Sequence, residues 1–175
     1  MKKLEIGPGP SKLSEDWTTA CITNRPHVDH TFVWGKDPLP FEDNTFDFVY
    51  SAHCLEHVPW HRSRAALKEA YRVLKTGGTL EIHVPDLDYL VQCLLSRKLG
   101  DSWEKYNNRD NHITWFASRM FSYEPDGANH KACFNEELLS SLFNEIGLSN
   151  ILKLDRGPLG HQHGNINIGM TGQKL

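Results

Sequence analysis

Short apolar segments alternate along the chain with longer segments in which apolar residues recur at helical spacing. The short segments predict seven strands, over residues 4–6, 18–22, 31–34, 46–50, 79–84, 150–154 and 165–171. Strands that alternate with helices indicate an α/β fold with a doubly wound, mainly parallel sheet. The last two strands are joined by a loop without a helix, which predicts an antiparallel pair at the end of the chain.

The same pattern predicts the helices that connect these strands. Residues 61–74 form the first clear one, with an apolar stripe of Ala66, Leu67, Ala70, Tyr71 and Leu74. Asp86 and Asn135 can each cap a further helix, and Gly147 ends the last one. Only about eleven residues separate the first two strands, so we expect a crossover helix of one or two turns there.

Composition narrows the class of protein. The chain has 175 residues, which suits one domain, and we expect residues 1–175 to form a single domain. Its net charge of −3 and interspersed lysines and arginines argue against a nucleic-acid partner. No apolar run approaches the ~20 residues that span a bilayer, so no membrane partner is expected. No signal-peptide pattern and no Cys-x-x-Cys pair are present, which predicts a cytoplasmic protein with reduced thiols.

The first strand ends in a glycine-containing turn, Glu5-Ile6-Gly7-Pro8-Gly9. Glycines let the backbone approach a ligand closely, and ligands of open α/β sheets bind at the carboxyl ends of strands. A carboxylate at Glu5 suits a cationic amino-acid ligand and is a poor neighbour for a pyrophosphate. The third glycine of the dinucleotide-binding pattern is also missing, so a nicotinamide-dependent enzyme is disfavoured. A simple strand-to-loop turn is the alternative interpretation.

Three further motifs follow in order along the chain. Residues 39–47 read Leu-Pro-Phe-Glu-Asp-Asn-Thr-Phe-Asp, residues 55–57 read Leu-Glu-His, and residues 72–78 read Arg-Val-Leu-Lys-Thr-Gly-Gly. Together with the first turn, they resemble the class I S-adenosylmethionine-dependent methyltransferases, in particular the type 11-like small-molecule branch. The resemblance covers residues 3–95 and resumes at residues 130–134. It implies a Rossmann-like fold and S-adenosylmethionine as cofactor.

The resemblance also implies which residues contact the cofactor. They are Glu5, Gly7, Pro8 and Gly9 around its methionine part, Trp34 beside the adenine, and Ser51, Ala52 and His53 along its length. Trp34 has an equally good alternative role as a core indole at a strand end. The family usually carries an acid at the end of the second strand to bind the ribose hydroxyls, and Cys21 occupies that place here. Asp16 and Asp29 are candidate substitutes for that acid.

Three histidines, His53, His57 and His130, are candidate general bases for an acceptor that must lose a proton. A structural role is the alternative for each of them. The spacing of His57 and His61 also suits a metal site, but the sequence shows no matching second cluster and we expect no metal.

Residues 97–130 are irregular and rich in aromatic and polar side chains. They predict an insert that covers a small-molecule substrate, or alternatively a cap that fills a small core of its own. The overall prediction is methyl transfer from S-adenosylmethionine to a small polar acceptor, at oxygen. The alternative is a non-catalytic relative that binds the cofactor and acts through a protein partner.

Overall fold

A computed structural model describes residues 1–97, 112–122, 129–159 and 166–175. Its strands are β1 (Lys3–Ile6), β2 (Trp17–Cys21), β3 (His30–Thr31), β4 (Phe46–Ala52), β5 (Leu74–Pro85), β6 (Leu148–Leu154) and β7 (Asn167–Lys174). Its α-helices are α1 (Ser63–Val73), α2 (Leu87–Ser96), α3 (His112–Phe121) and α4 (Glu136–Glu145). Two 3₁₀ turns, Leu55–His57 and Trp60–Arg62, connect β4 to α1.

The strands form one sheet in the order β3-β2-β1-β4-β5-β7-β6. Pairing is parallel from β3 to β5, whereas β7 lies antiparallel to both β5 and β6. This arrangement confirms the predicted α/β doubly wound fold with an antiparallel end. The strand order reverses between β1 and β4, and open α/β sheets bind ligands at such a switch point.

Two local predictions are wrong. Residues 7–16 contain turns and no helix, because the segment begins with two Gly-Pro pairs and is fixed by a bond from the Leu13 amide to the Glu5 carboxylate at 2.9 Å. The third strand is shorter and earlier than residues 31–34. It ends because the Asp37 carboxylate accepts the Val33 amide at 2.9 Å and turns the chain.

The main core lies on one face of the sheet, against α1 and α4. Its strand residues alternate along the chain, as in Leu4 and Ile6 of β1 and Leu80 and Ile82 of β5, and all four are at most 1% exposed. A second, smaller core joins α2 to α3 through Leu90, Cys93, Trp115 and Ile166. No helix in the described ranges is long and apolar enough to cross a membrane.

Polar side chains occupy buried positions on the central strands. The Glu81 carboxylate contacts the His83 Nε2 atom at 2.7 Å and accepts a hydrogen bond from the Arg156 guanidinium at 2.6 Å. The Leu159 amide donates to the Tyr50 hydroxyl at 2.7 Å. These contacts fasten the segment that follows β6 to the middle of the sheet.

Candidate functional site

A cleft of about 540 Å³ opens at the carboxyl ends of the parallel strands. Its size falls in the ~300–1,000 Å³ range of small-molecule sites. The segments after β1, β2 and β4 form one side, and α2, α3 and the segment before α4 form the other. Its lining includes Gly7, Gly9, Cys21, Arg25, His53, Cys54, Glu56, His57, Ser118, Arg119 and His130.

The turn after β1 reaches this cleft because of its glycines. Gly7 and Gly9 have φ angles of +75° and +63°, which glycine adopts without strain. The Gly7 amide donates to the Ala20 carbonyl at 2.9 Å, and a Cβ atom on Gly7 would lie 2.6 Å from the Cys54 Sγ atom. The tips of β1 and β4 therefore meet at a position where a side chain has no room.

Glu5 stabilises this turn from beneath. Its side chain is 4% exposed, it accepts the Leu13 amide, and it is absent from the cleft lining. Burial raises the pKa of Glu5, although the Leu13 N–H bond and His27 act in the opposite direction. The structure thus places Glu5 where it shapes the turn rather than on the surface of the cleft.

Of the three residues predicted to contact the cofactor at the end of β4, His53 alone lines the cleft. The Ser51 hydroxyl is buried and donates to the Ile6 carbonyl at 2.9 Å, which ties β4 to β1. Pro8 is buried and Ala52 half-buried, and neither lines the cleft. His53 does line it, with a φ of +51° that is unusual for a side-chain-bearing residue. Strained backbone of this kind is concentrated at functional sites.

Trp34 lies in the core, away from the cleft. Its indole is 6% exposed and its Nε1 atom donates to the Ala66 carbonyl at 2.9 Å. The structure therefore favours the alternative of a core indole over adenine stacking, because the ring is already enclosed by the sheet and α1. Trp34 is therefore not part of the proposed site.

At the end of β2, Cys21 lines the cleft, at the place where the resemblance implies a ribose-binding acid. Neither candidate substitute for the missing acid reaches it. Asp16 lies before β2, at the amino-terminal ends of the parallel strands, and pairs with Lys3 at 2.6 Å. Asp29 is held by the amide and hydroxyl of Thr19 at 2.9 and 3.0 Å. Arg25 is a charged residue that lines the cleft on this side, and its guanidinium donates to the Gly9 carbonyl at 2.9 Å.

The segment after β4 and the segment before α4 bring a cluster of histidines together around Glu56, which is 0% exposed. The Glu56 Oε1 atom lies 3.2 Å from His53 Nδ1 and 3.9 Å from His130 Nε2. The rings of His57 and His130 pack edge to face with centroids 4.9 Å apart. The structure thus brings the three predicted histidines together, although His130 is distant from the other two in sequence.

Glu56 is the site residue that sequence reasoning missed as a functional group. Burial alone would raise its pKa, but the contact with His53, supported by His57, outweighs burial and lowers it. Burial also lowers the pKa of His130, against the attraction of Glu56. The available signal was an acid between His53 and His57. Glu56 also belongs to the motif Leu55-Glu56-His57, so the family pattern explains it equally well.

The predicted substrate-covering insert, residues 97–130, falls largely outside the described residues. Of its described part, α3 places Ser118 and Arg119 on the cleft and buries Trp115 completely. Helix α3 thus has both a core face and a cleft face. The aromatic residues Trp103, Tyr106 and Tyr123 of this insert lie outside the described ranges.

Comparisons with known proteins agree with this geometry. Residues 23–82 match the methyltransferase domain family described as "Methyltransferase domain". A demethylmenaquinone methyltransferase of Staphylococcus saprophyticus is 34% identical over 119 residues, which cover 65% of this chain and 46% of the relative. A ubiquinone/menaquinone biosynthesis C-methyltransferase of Agrobacterium fabrum is 50% identical over 65 residues, covering 33% of this chain and 24% of the relative. The chain thus spans less than half the length of these relatives.

Solved structures show the same fold. A protein from Archaeoglobus fulgidus, titled as a methyltransferase dependent on S-adenosylmethionine, superposes with a TM-score of 0.63 and 13% identity. That match covers 99% of this chain and 86% of the other. A possible histamine N-methyltransferase from Thermotoga maritima superposes with a TM-score of 0.60 and 20% identity over 99% and 82% of the two chains. The fold is therefore that of the Rossmann-like methyltransferases.

In sequence and in fold the chain is similar to the class I S-adenosylmethionine-dependent methyltransferases, in agreement with the predicted resemblance. Family and fold imply S-adenosylmethionine as the cofactor. The residues present fit it, since the cleft is large enough and the backbone at Gly7 and Gly9 carries no Cβ atom. Cys21 in place of a ribose-binding acid is the main departure.

Proposed function

We propose that this chain is an enzyme that transfers a methyl group from S-adenosylmethionine to a small acceptor bound beside the histidine cluster. The observation that carries this proposal is that the Gly7–Gly9 turn and the histidines His53, His57 and His130 line the same cleft. When bound, S-adenosylmethionine supplies an electrophilic methyl group on a positively charged sulfur.

The chain's own part in such a reaction is alignment. The backbone at Gly7 and Gly9, the end of β2 and His53 would hold the cofactor, while α3 and the histidine cluster would hold the acceptor. Correct alignment of two reactants can supply ~7–11 kcal/mol of the barrier. His53, His57 and His130 provide ring nitrogens that can accept the proton of a hydroxyl acceptor. The region 97–130 would cover the acceptor and exclude water.

The acceptor in this proposal carries a hydroxyl group. Sequence reasoning favours methylation at that oxygen. The relatives suggest a second candidate, carbon, because one is named as a C-methyltransferase and another, from Oryza sativa, as a methyltransferase of a 1,4-hydroquinone. That rice protein is 34% identical over 85 residues, which are 49% of this chain and 23% of its own length. A phenolic hydroxyl beside the histidines serves either outcome.

Titration calorimetry with S-adenosylmethionine, S-adenosylhomocysteine and NAD tests the proposal. We expect saturable binding of the first two, one per chain, and no binding of NAD. An absence of binding at millimolar ligand would refute the cofactor assignment. Binding without methyl transfer from a labelled donor to any metabolite pool would favour the non-catalytic alternative.

Substitution Cys21→Asp should tighten cofactor binding. A carboxylate at the end of β2 can accept hydrogen bonds from ribose hydroxyls, and bonds to charged groups contribute about 1.5–3 kcal/mol. We therefore expect at least ~10-fold tighter binding of S-adenosylhomocysteine by calorimetry. Cys21→Asn, which has a similar shape without the charge, is the matched control. Equal affinities for the Asp and Asn variants would place the ribose elsewhere.

A further inference from the structure

Three side chains that meet across the cleft are arranged like the ligands of one metal ion. Glu56, His57 and His130 each offer a ligand atom, and these atoms lie within 4.8 Å of one another. Bonds of about 2.0–2.2 Å from imidazole nitrogen or carboxylate oxygen to a tetrahedral ion put the ligand atoms about 3.3–3.6 Å apart. Side-chain rotations that shift each atom by less than about 1 Å would therefore bring all three onto one ion.

The carboxylate of Glu56 gives an independent reason to expect a cation. The side chain is fully buried, and its Oε2 atom has no hydrogen-bond partner within the described part of the chain. A buried carboxylate oxygen without a partner is costly, and native proteins rarely leave one unsatisfied. The other oxygen, Oε1, lies 3.9 Å from His130 Nε2, and a metal ion bound by the carboxylate would provide the partner that Oε2 lacks.

The second contact of His57 also suits a metal ligand. Its Nδ1 atom lies 3.3 Å from the Asn129 carbonyl oxygen. Histidines that bind metals through one nitrogen usually donate from the other to a carbonyl or carboxylate, which fixes the ring orientation. The main chain reinforces the arrangement, because the Glu56 carbonyl accepts the amides of Lys131 and Ala132 at 2.7 and 3.1 Å. His130 is thereby held opposite His57.

We propose that Glu56, His57 and His130 bind one divalent transition-metal ion at the edge of the cleft. Two imidazoles and one carboxylate suit zinc, iron, cobalt or manganese and leave coordination positions open, whereas magnesium and calcium prefer oxygen ligands. The sequence predicts no metal, because no second cluster of ligands matches the pair His57 and His61. In the structure His61 is exposed and packs against Trp60, and His130 takes the place of the missing ligand.

The ion would also define the acceptor, and this second part rests on the proposed function. An open coordination position would bind an acceptor oxygen and stabilise its anionic form. With the ion bound, His57 and His130 are ligands, and His53 is the ring left to accept the acceptor's proton in the proposed function. Phenolic, enolic or hydroquinone hydroxyls meet that requirement, whereas amines do so less well. Metal binding itself does not depend on methyl transfer.

Titration of the intact chain with Co²⁺ tests the site directly, because cobalt bound to imidazole and carboxylate gives visible absorption bands. We expect one Co²⁺ per chain, displaced by Zn²⁺. Binding should weaken at least 100-fold in His57→Ala, His130→Ala and Glu56→Gln and stay unchanged in His61→Ala. Far-UV circular dichroism and thermal unfolding in EDTA show whether each variant is folded. X-ray absorption at the cobalt edge of the unmodified chain should show imidazole ligands, whatever the variants do.

The outcomes separate this proposal from the proposed function. Absence of Co²⁺ uptake by the unmodified chain, or uptake that survives in both His57→Ala and His130→Ala, would overturn the metal site. An edge spectrum without imidazole ligands would overturn it equally. Calorimetry with S-adenosylhomocysteine in EDTA is independent of these results. The cofactor assignment can therefore stand when the metal site fails, and the metal site can stand when the cofactor assignment fails.

Discussion

Gly7→Ala is expected to weaken binding of S-adenosylhomocysteine at least ~10-fold and to lower the free energy of unfolding by about 2–4 kcal/mol. The added Cβ atom would lie 2.6 Å from the Cys54 Sγ atom and 2.7 Å from its Cβ atom. The φ angle of +75° adds strain for any residue with a side chain. Relief of both effects requires the tips of β1 and β4 to separate, which distorts the side of the cleft assigned to the cofactor.

Gly9→Ala is the matched control for Gly7→Ala. Gly9 has a similar positive φ of +63°, but an added Cβ atom would meet nothing within 4 Å. We therefore expect Gly9→Ala to lower the free energy of unfolding by about 1 kcal/mol, the cost of backbone strain alone, as measured by chemical denaturation. Cys54→Ala in the Gly7→Ala background should restore part of the stability by removing the contact with Sγ. If Gly7→Ala and Gly9→Ala lower stability and binding equally, steric contact with Cys54 is not the reason why position 7 requires glycine.

Gly169→Ala should destabilise the fold by about 2–3 kcal/mol and lower Tm by about 4–12 °C. Gly169 lies on β7 opposite His83 on β5, and an added Cβ atom would be 2.4 Å from the His83 Cε1 atom and 2.6 Å from Nδ1. The ring is 0% exposed and is held by Glu81 at 2.7 Å, so it cannot move aside cheaply. Thermal and urea unfolding measure the effect.

Two comparisons make the Gly169→Ala result interpretable. At Gly157 an added Cβ atom meets nothing within 4 Å, so Gly157→Ala should change stability by less than ~0.5 kcal/mol. His83→Ala removes the clashing ring, and the double variant His83→Ala/Gly169→Ala should show a coupling energy of at least ~1 kcal/mol. Additive effects of the two substitutions would mean that β7 shifts instead of the ring.

Much of the fold was predictable because it follows from local patterns. Alternation in β1 and β5, the capping side chains of Asp86 and Asn135, and Gly147 after the last helix are all readable along the chain. The capping prediction is confirmed, because the Asp86 and Asn135 side chains accept hydrogen bonds from backbone amides of the following turn. The short crossover before β2 was not predictable, since it depends on a tertiary bond between Glu5 and Leu13.

The site was predictable only where its residues lie next to strand ends. Gly7 and Gly9 follow β1, Cys21 is the last residue of β2, and His53 follows β4. Parallel strands bring their carboxyl ends to one edge of the sheet. Glu56 looked like a motif residue, and its contact with His130 depends on how the segment before α4 returns to the cleft. Trp34 could stack on a ligand or fill the core, and only the bond to Ala66 distinguishes the two.

The anchoring of the segment before α4 has an evolutionary consequence. Lys131 and Ala132 are bonded to the Glu56 carbonyl, and the Phe134 carbonyl accepts the Leu87 amide at 2.8 Å. The His130 amide also donates to the Phe121 carbonyl at 2.9 Å, so His130 is fixed both to the end of α3 and, through residues 131–134, to β4 and α2. A relative that changed its acceptor by exchanging the region before His130 would therefore have to keep the end of α3 in place to preserve the register of His130 with His57.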